Sequence, residues 1–263
     1  MNAPAPDTYP AFVAELYDFS PVVVARTDVP FYLHLAREAR GAVLELGCGT
    51  GRILLPMARA GVEVVGVEQS LPMLERCRAK LAAESPDVQQ RVQLVHGSMT
   101  EFDLGRQFHL IATPFRSFQH LLTIQEQLAC LDAARRHLAP GGRLVLDFFH
   151  TDPRALCDPA WQQERFPFPD VELSGGRRLR LGSRVAAVHR AEQINDAELT
   201  YYVIHPGGRT ERFVFAFSIR YFFRYEVEHL LARAGFRVAD LFGNYDRSPF
   251  RDDSPEMIFL ASP

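Results

Sequence analysis

The run VLELGCGTGR at residues 43–52 sets glycines at 47, 49 and 51 directly after an apolar stretch and directly before helix-forming residues. Glycine at alternate positions frees the backbone to adopt left-handed φ and to approach a ligand where a Cβ would intrude. In open α/β sheets ligands bind beyond the carboxyl ends of the strands, where the strand order reverses, and a turn of this kind belongs there. A dinucleotide loop has the spacing G-x-G-x-x-G. Its third glycine would fall here on Arg52, and Gly51 comes one residue early, which counts against a nicotinamide oxidoreductase. Seventeen residues beyond Gly51, the run VEVVGVE ends on Glu68, a carboxylate that can accept two hydrogen bonds. A third grouping, ATPFRSFQHL at 112–121, carries Arg116 and His120 after another apolar run. An imidazole there can take up a proton near neutral pH without a large pKa shift.

The order ELGCGTG resembles the first motif of the class I S-adenosylmethionine-dependent methyltransferases. That resemblance implies S-adenosyl-L-methionine as cofactor, with Glu45, Gly47, Cys48, Gly49, Gly51 and Arg52 around it, Glu68 on both ribose hydroxyls, and Gln69 and Met73 beside the adenosine. The family commonly has an aspartate where Ser98 stands. Serine still accepts a hydrogen bond, and the backbone of Met99 is expected at the adenine edge, with Thr113 bordering the cofactor. The segment from Ala112 resembles the motif lining the methyl-acceptor side in small-molecule members. His120 matches a histidine implicated as base in sugar-amine N-methyltransferases, and bracing the next helix is the equal alternative. Phe115, Arg116 and Tyr245 are expected at the acceptor, with Arg116 either on a substrate carboxylate or in an exposed surface pair. Nucleobase methylation is disfavoured, because its motif carries an Asp, Asn or Ser, two prolines and an aromatic, whereas Thr113-Pro114-Phe115-Arg116 stands here. The likeness spans 28–149 and returns at 220–236 and 254–261.

These residues need a frame, and the hydrophobic periods describe one. Asp28 can cap a helix through FYLHLAREAR, with Gly41 as its stop. Strands at 42–46, 62–67, 92–96, 108–113 and 143–149 alternate with helices through ILLPMARA, from Leu71 to about Ala83, and at 124–138, the pattern of a parallel α/β sheet. Residues 151 to about 182 lose the period. Three alternating runs follow, divided at Asn195-Asp196 and at Pro206-Gly207-Gly208, as in an antiparallel meander with Tyr201, Tyr202, Phe213, Phe215 and Phe217 on one face. A helix at RYEVEHLLARAGF and strands at 237–243 and 256–262 close the chain. The expected fold is a seven-stranded, mostly parallel, doubly wound α/β sheet of the Rossmann-like methyltransferase type, its last strand antiparallel as the resemblance implies. Its expected divisions are an arm at 1–27, a core at 28–150 and 219–263, and an antiparallel β insertion at 151–218 that covers the substrate or pairs two subunits as a homodimer.

Composition narrows the partners. The net charge of -3 leaves no basic excess for a phosphate backbone, so nucleic acid is not expected. No apolar stretch is long enough to span a bilayer, and no signal peptide is legible at the N-terminus. Cys48, Cys77, Cys130 and Cys157 form no CxxC pair. They read as reduced thiols in a cytoplasmic protein with no metal site. The expected reaction is in-line methyl transfer to an amine or hydroxyl of a small molecule. The alternative is a non-catalytic cofactor-binding protein that uses the insertion as a partner surface.

Overall fold

The computed structural model describes residues 9–263, which divide into two compact units. One comprises Thr27–His150 and Tyr221–Pro263; the other comprises Thr151–Arg220 and the described residues before Thr27.

In chain order, the smaller unit begins with helices α1 (Ala11–Leu16) and α2 (Pro21–Val24), and the larger unit with α3 (Val29–Ala39). Phe31, Tyr32, Leu35 and Ala36 form the buried stripe of α3, the spacing of one helical face. Two expectations about its ends are corrected. Asp28 makes no capping bond, because its carboxylate is committed to Arg52, and the left-handed residue that ends the helix is Arg40. Gly41 is required for another reason: a Cβ there would overlap the His109 imidazole.

The larger unit continues through β1 (Val43–Leu46), α4 (Leu54–Arg59), β2 (Val64–Glu68), α5 (Leu71–Ala82), α6 (Pro86–Gln90), β3 (Val92–His96), β4 (Phe108–Thr113), α7 (Ile124–His137) and β5 (Leu138–Phe149). Every residue of β1 and β2 is buried, as befits central parallel strands covered on both faces. The Thr123–Glu126 capping box starts α7, with Thr123 donating its backbone N–H to Glu126 at 2.9 Å. Pro140-Gly141-Gly142 does not interrupt β5. It sits where the β4–β5 register shifts, with Gly141 at φ 75°.

The smaller unit resumes with β6 (Val171–Leu173), β7 (Arg177–His189), β8 (Ile194–Ile204) and β9 (Thr210–Arg220). It is a four-stranded antiparallel sheet, and β7 begins inside the stretch expected to be irregular. The hairpin between β7 and β8 turns ahead of Ile194, with Gln193 left-handed, rather than at Asn195-Asp196. Asp196 stays in β8 because its carboxylate is held across the strands by His189 and Ser218, at 2.7 Å each. Tyr201 and Phe215 lie in the buried cluster with Leu179, Leu181 and Val203, joined by Val13 and Leu16 of α1. Tyr202 faces the other way, as strand alternation demands, and donates its hydroxyl to Glu164.

The larger unit closes with α8 (Arg224–Arg233), β10 (Arg237–Phe242) and β11 (Glu256–Ser262). Its sheet has the order β10-β11-β5-β4-β1-β2-β3, with β1 to β5 parallel and β11 antiparallel to both neighbours. The order reverses beside β1, so the glycine turn after β1 lies at the switch point. Among the described residues no helix is long and apolar enough to cross a membrane.

Candidate active site

Gly47, Gly49 and Gly51 all have positive φ, at 74°, 55° and 80°. The loop they form is held to β2, because the amides of Gly47 and Cys48 both donate to the Val67 carbonyl, at 2.8 and 3.1 Å. A Cβ at Gly51 would lie 2.6 Å from the Cys77 sulfur. One at Gly47 would lie 2.8 Å from Ser117 Oγ and 3.5 Å from Met99 Cε, and one at Gly49 would lie 3.4 Å from Met73 Cε. The glycine loop thus lies beside Met73 of α5, Met99 after β3 and Ser117 after β4, on three elements that the family resemblance assigned separately to the cofactor or acceptor side.

Glu68 ends β2 with both carboxylate oxygens oriented by backbone. Oε2 accepts the Gly49 amide at 2.8 Å and Oε1 the Ser70 amide at 2.7 Å. Each oxygen retains a lone pair. Burial raises the carboxyl pKa, while these amides and a nearby His120 lower it. Glu45, one strand over, is only 2% exposed, and burial pushes its pKa up against the opposing pull of Arg52. Its Oε2 has no hydrogen-bond partner among the described residues, and neither does Thr113 Oγ1. Buried polar atoms left open at a ligand edge are what a polar cofactor would satisfy.

Arg52 forms a two-pronged pair with the fully buried Asp28, at 2.5 and 2.8 Å, and its guanidinium lies 5.3 Å from the Phe115 ring centroid. Cys48 is a buried neighbour of Cys77, and burial together with that contact raises its thiol pKa. Gln69 is exposed, and its carbonyl accepts from His96 Nε2 at 3.0 Å. The Ser98 hydroxyl is turned into its own loop, within 2.8 Å of Thr100 Oγ1 and accepting the Thr100 amide at 3.2 Å.

The acceptor-side segment Pro114–His120 is a tight turn with an unusual start. Phe115 (φ 57°, ψ 38°) and Arg116 (φ 63°, ψ 23°) are both left-handed, a conformation that costs a non-glycine residue about 1–2 kcal/mol. Asp147 of β5, fully buried, accepts both their amides, Phe115 at 3.0 Å and Arg116 at 2.6 Å, and also the Tyr245 hydroxyl at 2.6 Å. Asp147 was not singled out in the sequence. The only signal was an acid inside the apolar run RLVLDFF.

Arg116 corrects both of its expected roles. Its guanidinium is buried, paired with Glu256 of β11 and stacked 3.6 Å from the Phe149 ring centroid, so it neither forms an exposed pair nor faces an acceptor carboxylate. Tyr245 packs edge-on against Phe31, centroids 5.6 Å apart, and Asp246 serves a turn by accepting the Ser248 amide at 2.8 Å. His120 is half-buried at the end of the segment.

A seven-stranded sheet of this order, with its last strand antiparallel and a glycine turn after β1, is the Rossmann-like methyltransferase fold. Residues 43–142 match the model of the methyltransferase domain family. The chain belongs to the class I S-adenosylmethionine-dependent methyltransferases that act on small molecules, and S-adenosylmethionine is its cofactor. It is 30% identical over 235 residues to the dTDP-3-amino-3,4,6-trideoxy-α-D-glucopyranose N,N-dimethyltransferase of Streptomyces venezuelae, covering 88% of this chain and 86% of that one. The CcbJ methyltransferase of Streptomyces caelestis superposes with a TM-score of 0.73 at 28% identity, over 95% of each chain. The glycopeptide N-methyltransferase MtfA, solved with S-adenosylmethionine bound, superposes with a TM-score of 0.58 at 26% identity, over 90% of this chain and 94% of that one.

Proposed function

We propose that the protein transfers a methyl group to an amine nitrogen of a small molecule, and that the acceptor is an amino sugar. The observation that carries this reading is the fate of the two arginines at the site. Arg52 and Arg116 are committed to Asp28 and Glu256, so neither recruits an acceptor carboxylate, while Glu45, Glu68 and Asp147 bring three more carboxyls to β1, β2 and β5. An acidic, partly desolvated edge favours a ligand that carries positive charge. Both a sulfonium and an amine approaching as its ammonium fit that condition. The amino-sugar class is supported by the likeness to the Streptomyces venezuelae amino-sugar N,N-dimethyltransferase.

The cofactor supplies an electrophilic methyl on a sulfonium. This chain's residues bind and orient. Glu68 accepts the two ribose hydroxyls, and the backbone at Gly47, Cys48, Gly49 and Gly51 lies along the cofactor. Glu45 and Thr113 offer their open oxygens to it. Met73 and Met99 pack against the nucleoside, with Gln69 and Ser98 at its rim. Phe115 and Tyr245 border the acceptor. His120, at the end of the same segment, takes the proton that an ammonium must lose before its lone pair can attack.

His120→Ala tests the base. A general base contributes about 10²–10⁴-fold, so kcat should fall by that order at neutral pH, with S-adenosylhomocysteine affinity unchanged and the loss shrinking at alkaline pH where the amine deprotonates unaided. Wild-type kcat with an unaltered pH profile would assign His120 to bracing.

A further inference from the structure

We propose that Asp147 is the positioning residue of methyl transfer. Its carboxylate holds Phe115 and Arg116 left-handed and so fixes the presentation of the segment that ends in His120. This rests on the reading of Pro114–His120 as the acceptor side of the site.

Two successive non-glycine residues in the left-handed region do not persist without a partner that over-determines them. Their amides point into a common concavity, the arrangement that elsewhere makes a backbone anion site. The anion here is the chain's own carboxylate. Asp147 Oδ1 takes Arg116 N–H at 2.6 Å, and Oδ2 takes Phe115 N–H at 3.0 Å and Tyr245 O–H at 2.6 Å. The third donor comes from the loop after β10, so the segments that contribute Phe115 and Tyr245 are set against a single group. The Phe115 ring is placed by the same turn, with the guanidinium carbons of Arg52 and Arg116 at 5.3 and 5.8 Å from its centroid.

The rest of the segment has separate anchors. Ser117 Oγ donates to the Pro114 carbonyl at 2.7 Å, and Gln119 Oε1 accepts the Phe149 amide at 2.9 Å. Asp147 itself stays in register opposite Ile258 of β11 through its backbone. Removing the carboxylate therefore releases the left-handed pair while leaving the sheet and the glycine loop in place. A displacement of about 1 Å in a positioning element is enough to cost roughly 10²-fold in rate.

The test is Asp147→Asn, which keeps shape but offers an amide N–H where an acceptor is needed, alongside Tyr245→Phe, which removes only the third donor. Three readouts separate positioning from bulk stability. Hydrogen exchange by mass spectrometry should accelerate in the peptide covering 112–122 of Asp147→Asn and remain at wild-type rates in the peptide covering 43–55. S-adenosylhomocysteine affinity by calorimetry should be unchanged. With dTDP-3-amino-3,4,6-trideoxy-α-D-glucopyranose as acceptor, kcat should fall by about 10²-fold with a smaller change in KM, and Tyr245→Phe should show the same split to a lesser degree. Unchanged exchange at 112–122, or accelerated exchange with wild-type kcat, overturns the proposal. If the wild-type enzyme does not methylate that sugar, the amino-sugar reading fails, while the exchange comparison still decides whether Asp147 holds the turn. Should Asp147→Asn not fold, Tyr245→Phe carries the comparison, and its wild-type exchange together with wild-type kcat would reject the role.

Discussion

Glu68→Ala removes a side chain whose two oxygens are both pre-aimed by backbone amides, from Gly49 at 2.8 Å and Ser70 at 2.7 Å. With one lone pair of each oxygen so occupied, each has one left for a ribose hydroxyl. A hydrogen bond to a charged group contributes about 1.5–3 kcal/mol, so losing two costs about 3–6 kcal/mol as an upper bound, because the pair acts as a unit. At about 1.4 kcal/mol per tenfold, Kd for S-adenosylhomocysteine should rise by roughly 10²–10⁴. Glu68→Gln keeps one carbonyl oxygen but turns an NH2 toward one of the two amides, so its loss should be intermediate. Isothermal titration calorimetry with S-adenosylhomocysteine reads this without turnover. The pH dependence has a definite sign. Burial raises the Glu68 pKa above its usual 4.5, so wild-type affinity should decline on acidification at a higher pH than an exposed glutamate would dictate. In Glu68→Gln that decline should be absent. A Kd for Glu68→Ala equal to that of wild type would refute the ribose assignment and the reasoning behind it.

Two further outcomes check the frame. Glu38 of α3 is held by Arg247, Arg143 and His34, and its pKa is lowered to about 2, first by the hydrogen bond from Arg247. A depressed carboxylate pKa contributes stability above the unfolded value and loses it as pH falls through the folded one. Glu38→Gln should therefore lower Tm by a few degrees at pH 7, consistent with about 1 kcal/mol for exposed pairs, and the difference should vanish on acidification from about 4.5 to 2. A Tm difference that persists in acid would contradict the linkage. Among the cysteines, Cys157 is exposed while Cys48, Cys77 and Cys130 are buried, with Cys130 pushed up to about 12 by burial. A thiol reagent should label Cys157 alone in the native protein, and rapid native labelling of Cys130 would show that the core packing is wrong.

The elements that were legible in the sequence are those whose information is local. The strands at 92–96, 108–113 and 256–262 appear as read, because a period of two or a short apolar run is visible without knowing its neighbours. The glycine turn after the first strand and Glu68 at the end of the second stand where the sequence put them, because residue type marks both within a few positions. What escaped depends on pairs distant in the chain. Arg116 is buried because Glu256 lies opposite, 140 positions away. Asp28 is diverted from its helix by Arg52, and Asn195-Asp196 resembled a turn because nothing local announces His189 and Ser218 as partners. Asp147 is the strongest case. An acid within an apolar strand is conspicuous, yet its purpose resides in the dihedrals of Phe115 and Arg116, which no pattern of residue types encodes.

A matched acceptor pair tests methyl transfer from S-adenosylmethionine to an amine nitrogen. The protein is incubated with S-adenosylmethionine and either dTDP-3-amino-3,4,6-trideoxy-α-D-glucopyranose or the same sugar carrying a hydroxyl in place of the amine, and products are read by mass spectrometry. One or two methyl groups should be added to the amino sugar and none to the hydroxy sugar. Methylation of the hydroxy sugar with the amino sugar left intact would contradict transfer to nitrogen.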